Sequence, residues 1–114
     1  MKPLDRDRSI IRKMLNYCDE IEEAHNSFGK SYAAFQSNSV YRNAVSLCLM
    51  QIGELSNRLS EEFKEQYHSI PWYQIKGMRN VVAHEYGHID VSIVWETATE
   101  DILAIRSFCN EILS

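Results

Sequence analysis

The stretch SVYRNAVSLCLMQIGELSNRL, residues 39–59, decides the fold, because its apolar residues recur at helical rather than strand spacing. The core positions, at steps of three and four residues, are Val40, Ala44, Leu47, Cys48, Ile52, Leu55 and Leu59. Tyr41, Val45 and Leu49 widen this stripe, so the predicted helix is apolar on more than one side. That pattern is typical of the central helix of a bundle, or of a helix that also faces a partner chain.

Two residues in the middle of this helix, Gly53 and Glu54, are unusual. A glycine inside a helix costs about 1 kcal/mol relative to alanine, and close packing of another helix against it would offset that cost. Glu54 is either a solvent-exposed carboxylate or a residue that supports a functional site on a neighbouring helix. The sequence leaves both interpretations open.

Helical periodicity also predicts helices over residues 4–28, 71–86 and 91–113, and a short helix over residues 60–67. Residues 29–39 are predicted to be a connection that Tyr32 and Phe35 pack against the bundle. No segment alternates with the period of two that a half-buried strand requires. We therefore predict an all-α fold, an antiparallel four-helix bundle with a short extra helix, formed by residues 1–114 as a single domain.

Composition excludes several classes of protein. Apolar residues make up 45% and charged residues 25% of the 114 residues, as in ordinary globular proteins. No apolar run approaches the roughly 20 residues of a membrane-spanning helix, and residues 1–5 do not resemble a signal peptide. Cys18, Cys48 and Cys109 fall on apolar helix faces, which predicts buried thiols in a reducing cytoplasm. No Cys/His spacing is typical of zinc, and we predict no metal and no cofactor.

Charge is unevenly distributed along the chain, whose net charge is −4. Residues 1–13 carry five basic and two acidic side chains, whereas residues 85–105 contain no Lys or Arg. A general nucleic-acid-binding surface would normally be basic, so contact with RNA has to be local. The acidic segment could hold a basic partner, or both segments are simply solvated helix faces.

The stretch RNVVAHEY, residues 79–86, concentrates the chemically active side chains. Arg79 offers a permanently charged, bidentate fork for a phosphate. His84 is a general acid or base near neutral pH, and Tyr86 offers a hydroxyl donor and a ring for stacking. These groups suffice for metal-free RNA cleavage by the ribose 2′-hydroxyl, with His84 moving the proton and Arg79 stabilising the charge.

Helix geometry complicates this interpretation. At about 100° per residue, Arg79 and Tyr86 share a face, whereas His84 lies about 140° around the axis from Arg79. Either the helix loosens after Ala83, or two chains share the site. The alternative is that Arg79 is a surface residue and His84 a cation suited to a helix C-terminus.

The sequence of residues 40–114 resembles the HEPN domains, specifically the HepT-like toxin family. The resemblance rests on Arg-x4-His-x-Tyr at Arg79, His84 and Tyr86, and on flanking segments in the family's order. These segments are QIGE (51–54), RLSEE (58–62), IPW (70–72), GMRN (77–80) and ID (89–90). Residues 1–39 match only in helix length and polarity.

This resemblance implies a HEPN-type homodimer with the motifs lining a cleft at the dimer interface. It implies a metal-independent endoribonuclease toxin that cleaves RNA through Arg79 and His84. It also implies a minimal nucleotidyltransferase antitoxin that transfers AMP to Tyr86 and so silences the toxin. Asn80, Glu54 and His88 are candidate supporting residues. The alternative is a catalytically inert HEPN dimer that acts as a binding module for a nucleotidyltransferase or nucleotide.

Overall fold

The computed structural model describes residues 5–83 and 90–114, and for residues 81–83 it describes the backbone alone. The predictions for His84, Tyr86 and His88 therefore lie outside the described residues. The helices are α1 (Asp5–Ser27), α2 (Tyr32–Ser37), α3 (Ser39–Ser56), α4 (Glu61–Gln66), α5 (Trp72–Ala83), α6 (Val91–Glu96) and α7 (Ile102–Leu113). Between α6 and α7 the segment Thr97–Asp101 is a π-helical turn.

The predicted all-α bundle is confirmed, and the described part of the chain contains no strand. Helix α3 lies at the centre and packs against α1 on one side and α5 on the other, while α7 covers α1. The predicted core positions Ile52 and Leu55 of α3 are buried, as are the widening positions Val45 and Leu49. Val40 and Leu47 are instead 68% and 55% exposed, so part of the predicted stripe faces outward.

The connection predicted over residues 29–39 contains a helix that the sequence reasoning missed. Helix α2 is six residues long, which is too short for a 3.6-residue period to become visible. The Ser31 hydroxyl accepts from the Ala34 amide at 3.2 Å and caps its start. Phe35 is fully buried, and the Tyr32 ring lies 5.6 Å from that of Trp95. The predicted packing of this segment is therefore confirmed.

The last helix, predicted as continuous over residues 91–113, is interrupted by the π-helical turn. There the carbonyl oxygen of Ala98 accepts from Nε2 of His25 at 3.0 Å. The Tyr41 hydroxyl lies 2.5 Å from the other ring nitrogen, Nδ1, and donates to it when the imidazole is neutral. His25 is thus a buried link between α1, α3 and the π-helical turn. Burial raises the pKa of the Tyr41 phenol, which keeps its hydroxyl a donor.

The three cysteines are free and buried, as predicted. Burial raises the pKa of the Cys48 and Cys109 thiols to about 12, and it also raises the pKa of Cys18. A thiol reacts as the thiolate, so these side chains act as small apolar residues of the core.

Helices α4 and α6 each begin at a side-chain cap. The Ser60 hydroxyl accepts from the Phe63 amide at 3.1 Å at the start of α4, and buried Asp7 of α1 accepts from the Ser60 amide at 2.8 Å. The Asp90 carboxylate accepts from the Ser92 hydroxyl and from the Ser92 and Ile93 amides, which lowers its pKa and begins α6. In the described ranges, no helix combines the length and apolarity required to cross a bilayer.

Candidate functional site

Helix α5 carries Arg79, and the start of this helix is fixed by Trp72. The Trp72 indole nitrogen donates to the carbonyl oxygens of Lys64 and Tyr67, at 3.2 and 3.1 Å. Its ring also packs 5.7 Å from that of Phe108. These contacts join α5 to α4 and α7, so Trp72 packs against the core rather than serving as a platform for a base.

The inner face of α5 packs against α3 at Gly53. A Cβ atom at Gly53 would lie 3.0 Å from the Arg79 amide nitrogen, 3.1 Å from the Ile75 carbonyl oxygen and 3.2 Å from the Arg79 Cβ. The first two of these atoms belong to the α5 backbone and cannot move aside by a change of rotamer. The glycine therefore allows the two helices to cross closely at the residue that carries the candidate catalytic guanidinium, as the sequence suggested.

Glu54, the next residue of α3, forms an ion pair with Arg79. Its Oε1 contacts the Nε of Arg79, and the two side chains are 40% and 50% exposed. Because Nε faces the carboxylate, the two terminal nitrogens of the guanidinium are, among the described residues, available as a fork for another anion. Of the two interpretations of Glu54, the structure thus favours the one in which it contacts the Arg79 site.

The candidate site residues divide into two groups. Glu54 and Arg79 are brought together, and Asn80 follows on the exposed surface of α5. His84, Tyr86 and His88 lie outside the described residues, so their distances from Arg79 stay untested, as does the predicted loosening of the helix after Ala83.

The outer face of α5 has a distinct composition that sequence reasoning did not single out. Tyr73, Lys76, Gly77 and Asn80 recur at helical spacing on this face. Tyr73 is 88% exposed, and a Cβ atom at Gly77 would have no neighbour within 4 Å. The signal that could have identified this face is the absence of Asp and Glu from α5, in a chain whose net charge is −4.

Two hollows in the described part of the structure do not include Arg79. An apolar groove of about 160 Å³ lies between α5 and the last helix, next to Ile75, Met78 and Ile105. A polar cleft of about 430 Å³ lies between α1 and α3, and Gln51 and Arg58 are among its lining residues. In residues 5–83 and 90–114, no group of three or more His, Cys, Asp or Glu side chains could hold a metal ion.

Comparison with known proteins gives consistent similarities. The family described as Ribonuclease HepT-like matches residues 14–112. The chain is 32% identical over 106 residues to "Putative RNase TTE0752" of Caldanaerobacter subterraneus subsp. tengcongensis, covering 93% of each protein. It is 35% identical over 75 residues to "Putative RNase MJ1380" of Methanocaldococcus jannaschii, covering 66% of this chain and 69% of that one. It is also 36% identical over 63 residues to "Probable ribonuclease HepT" of Thermococcus cleftensis, covering 55% and 57%. No solved structure gives a significant match.

Proposed function

Since the chain belongs to the HepT-like ribonuclease family, we propose that it is a metal-independent endoribonuclease in which Arg79 and His84 are catalytic residues. The observation that carries this proposal is the ion pair between Glu54 and Arg79, formed where Gly53 brings α3 against α5. It holds a half-exposed guanidinium at a fixed place, five residues before His84 in the sequence.

The proposed step is an internal transfer at phosphorus. The ribose 2′-oxygen forms a bond to the adjacent phosphorus, and the bond from that phosphorus to the 5′-oxygen of the next nucleotide breaks. The 2′-hydroxyl loses a proton and the departing 5′-oxygen gains one, and His84 moves this proton. The products are a 2′,3′-cyclic phosphate and a 5′-hydroxyl. The free fork of Arg79 stabilises the negative charge that develops on the phosphorane oxygens.

Independence of metal follows from this division of roles, because Arg79 and His84 supply the charge stabilisation and the proton transfer that a bound metal could otherwise provide. Cleavage should survive EDTA and leave 2′,3′-cyclic phosphate ends. Activity that is lost in chelator and restored by Mg²⁺ would contradict the mechanism.

The direct test is single-turnover cleavage of a single-stranded RNA by Arg79→Ala and His84→Ala. Each should lose a hundredfold or more in rate, the usual value of general acid–base or charge-stabilising groups. Arg79→Ala should unfold at the wild-type temperature, since the Arg79 side chain is half exposed, and thermal unfolding of His84→Ala is measured in the same way. Lys30→Ala, at an exposed turn before α2, is the control. An inert binding module would show no cleavage by the wild-type protein.

We also propose that the protein is a homodimer with the site near its interface. Val40 and Leu47 are exposed on α3, the helix that carries Glu54 further along. Exposed apolar side chains aligned on one helix are typical of an interface. Light scattering should return twice the 13.3 kDa chain mass at micromolar concentration, and Leu47→Glu should shift it toward the monomer. A wild-type protein that stays at the chain mass would disprove the dimer.

Within this proposal, the enzyme is a cytoplasmic toxin that a minimal nucleotidyltransferase antitoxin silences by transferring AMP to Tyr86. Tyr86 follows Arg79 by seven residues, so the two share one face if the helix continues to Tyr86. The AMP phosphate would then attract the Arg79 guanidinium. Incubation with the antitoxin and ATP should add the mass of AMP to the wild-type protein. Tyr86→Phe lacks the acceptor hydroxyl and should not gain the first AMP. A silenced protein without AMP would overturn this switch.

A further inference from the structure

The outer face of α5 presents one aromatic, one basic and one amide side chain in a line. Tyr73, Lys76 and Asn80 lie three and four residues apart, so their side chains follow one another along the helix surface. All three are exposed. Among the described residues, the Tyr73 ring contacts no other aromatic ring and Lys76 forms no ion pair. In residues 5–83 and 90–114, no hydrogen bond, ion pair or ring contact of the fold uses these side chains.

Gly77 lies between Lys76 and Asn80 on the same face, and it leaves a hollow there. No atom of the residues that the structure describes would come within 4 Å of a Cβ at this position. A glycine in a helix interior costs about 1 kcal/mol relative to alanine, and no helix among the described ones packs against Gly77 to offset that cost. The open position instead lets an extended ligand approach the α5 backbone between the lysine and the amide.

We propose that this face of α5 is a binding track for single-stranded RNA, which leads the strand to Arg79. The proposal rests on the ribonuclease function proposed above. In this track a nucleobase stacks on Tyr73, Lys76 neutralises a backbone phosphate, and the strand passes over Gly77 toward Asn80. Stacking on aromatic rings combined with basic side chains that follow the backbone is how proteins bind single strands without strict sequence preference.

Charge favours RNA as the occupant of this surface. Helix α5 carries Lys76 and Arg79 and contains no acidic residue, although the chain has a net charge of −4. A phosphate strand that follows α5 therefore meets two positive charges and no carboxylate from the helix itself. Glu54, the carboxylate that contacts Arg79, is already paired with it.

The spacing along α5 also fits a strand that reaches the reacting phosphate. Tyr73 and Arg79 are six residues apart, which in a regular helix is about 9 Å along the axis and about 120° around it, with Lys76 halfway between them. The base that stacks on Tyr73 therefore belongs to a nucleotide close to the cleaved linkage, but not to the linkage itself. Its loss should weaken binding without removing the catalytic groups.

The first experiment measures binding alone. The probe is a fluorescently labelled single-stranded RNA of random sequence with 2′-O-methyl riboses, which cannot be cleaved by attack of a 2′-hydroxyl. Tyr73→Leu should raise the dissociation constant roughly tenfold, because it removes a stacking platform. Tyr73→Phe keeps the ring and should bind like the wild type. Equal binding by the Leu and Phe variants would overturn the stacking.

Two further variants test the rest of the track. Lys76→Gln should weaken binding and lower the slope of log affinity against log salt by about 0.7, the value of one phosphate contact on a single strand. Lys30→Gln removes the same charge from the turn before α2 and should change neither the affinity nor its salt dependence. Gly77→Leu should weaken binding while its unfolding temperature stays at or above that of the wild type, which excludes misfolding as the cause.

The cleavage test is carried out on the same proteins with an unmodified RNA that has one mapped cut. An abasic nucleotide placed at successive positions should slow wild-type cleavage most at one position near the cut, and Tyr73→Leu should be insensitive to it there.

A wild-type protein that cuts no RNA, but whose binding responds to these variants as expected, would contradict the proposed function and leave the track standing. If the variants of Tyr73, Lys76 and Gly77 all cleaved and bound RNA like the wild type, the track would be contradicted and the proposed function would not. A change in oligomeric mass on Tyr73→Leu, with RNA binding intact, would assign this face to a protein interface and overturn the proposal.

Discussion

Gly53 and Gly77 look alike in the sequence, since each lies inside a predicted helix within two residues of a candidate site residue, yet the two occupy opposite environments. Gly53 lies against the α5 backbone, where a Cβ would be 3.0 Å from the Arg79 amide nitrogen. A Cβ at Gly77 would meet no atom of the described residues within 4 Å. Packing of α3 against α5 requires the first glycine, whereas the second leaves the outer surface of α5 open. A glycine inside a helix can therefore either allow a close helix crossing that positions a site, or leave the helix backbone accessible to a ligand.

The comparison also separates the two faces of α5. On the inner face Ile75 and Met78 are buried, and the contact with α3 places Arg79 beside Glu54. On the outer face Tyr73 and Lys76 have no partners among the described residues. Substitutions on the inner face should therefore lower stability and displace Arg79, and those on the outer face should change the binding of ligands without lowering stability.

The largest expected effect is that of Gly53→Leu. Its side chain would press on the α5 backbone, and overpacking of this kind lowers the free energy of unfolding by about 1–3 kcal/mol, here at the upper end because the facing atoms cannot rotate away. Cleavage should be lost as well, since α5 has to move where it carries Arg79. Urea denaturation followed by circular dichroism measures the change.

Gly77→Leu is the matched control for that substitution, since it adds the same side chain to the other glycine in open space. It should leave the free energy of unfolding unchanged or raise it. If both variants lost the same stability, the contrast between the two glycines would be wrong.

The fold was largely predictable from the sequence, because long helices repeat their apolar residues often enough to be recognised. Exceptions occurred where the signal was short or came from distant contacts. Helix α2 has six residues, and the π-helical turn Thr97–Asp101 leaves no mark in the apolar pattern. His25 is buried because Tyr41 and Ala98 satisfy both ring nitrogens, and those partners lie 16 and 73 residues away.

The candidate site was predictable in part. The chemistry of Arg79 could be inferred from its side chain and spacing, and the packing role of Gly53 from its place in a helix. The sequence could not decide whether Glu54 faces solvent or Arg79, because that depends on how α3 and α5 cross. The outer face of α5 was overlooked because Tyr73 is an aromatic residue at a helical position, which is more often a core residue.

The next effect in size is that of Glu54→Ala on cleavage. Without the carboxylate the guanidinium of Arg79 is free to take other rotamers, and a misplaced catalytic group of this kind commonly costs roughly tenfold to a hundredfold in rate. Stability should hardly change, since partly exposed ion pairs contribute only about 0–1 kcal/mol. Glu54→Gln retains an acceptor for the Arg79 Nε and should lose less.

The double variant Glu54→Ala/Arg79→Ala shows whether Glu54 acts through Arg79. If it does, the double variant should cleave no more slowly than Arg79→Ala alone, because there is no guanidinium left to position. Glu23→Ala, an exposed carboxylate on α1, controls for the change in net charge. Losses that multiply in the double variant would mean that Glu54 has a separate role.

The smallest expected effect is that of Gly77→Ala on stability. It sharpens the comparison most because Gly77→Ala should raise the unfolding temperature and Gly53→Ala should lower it. A methyl group at Gly77 meets no atom, so only the helix preference of alanine remains, worth about 1 kcal/mol in favour of folding. For a domain of this size that corresponds to a rise of about 4 °C in unfolding temperature. At Gly53 the same change gains the same preference but has to displace the α5 backbone, so Gly53→Ala should lower the unfolding temperature. Differential scanning calorimetry of the two single variants measures both signs in one experiment. A rise for both would show that α5 yields easily at Arg79, and that the close crossing does not fix the position of the guanidinium.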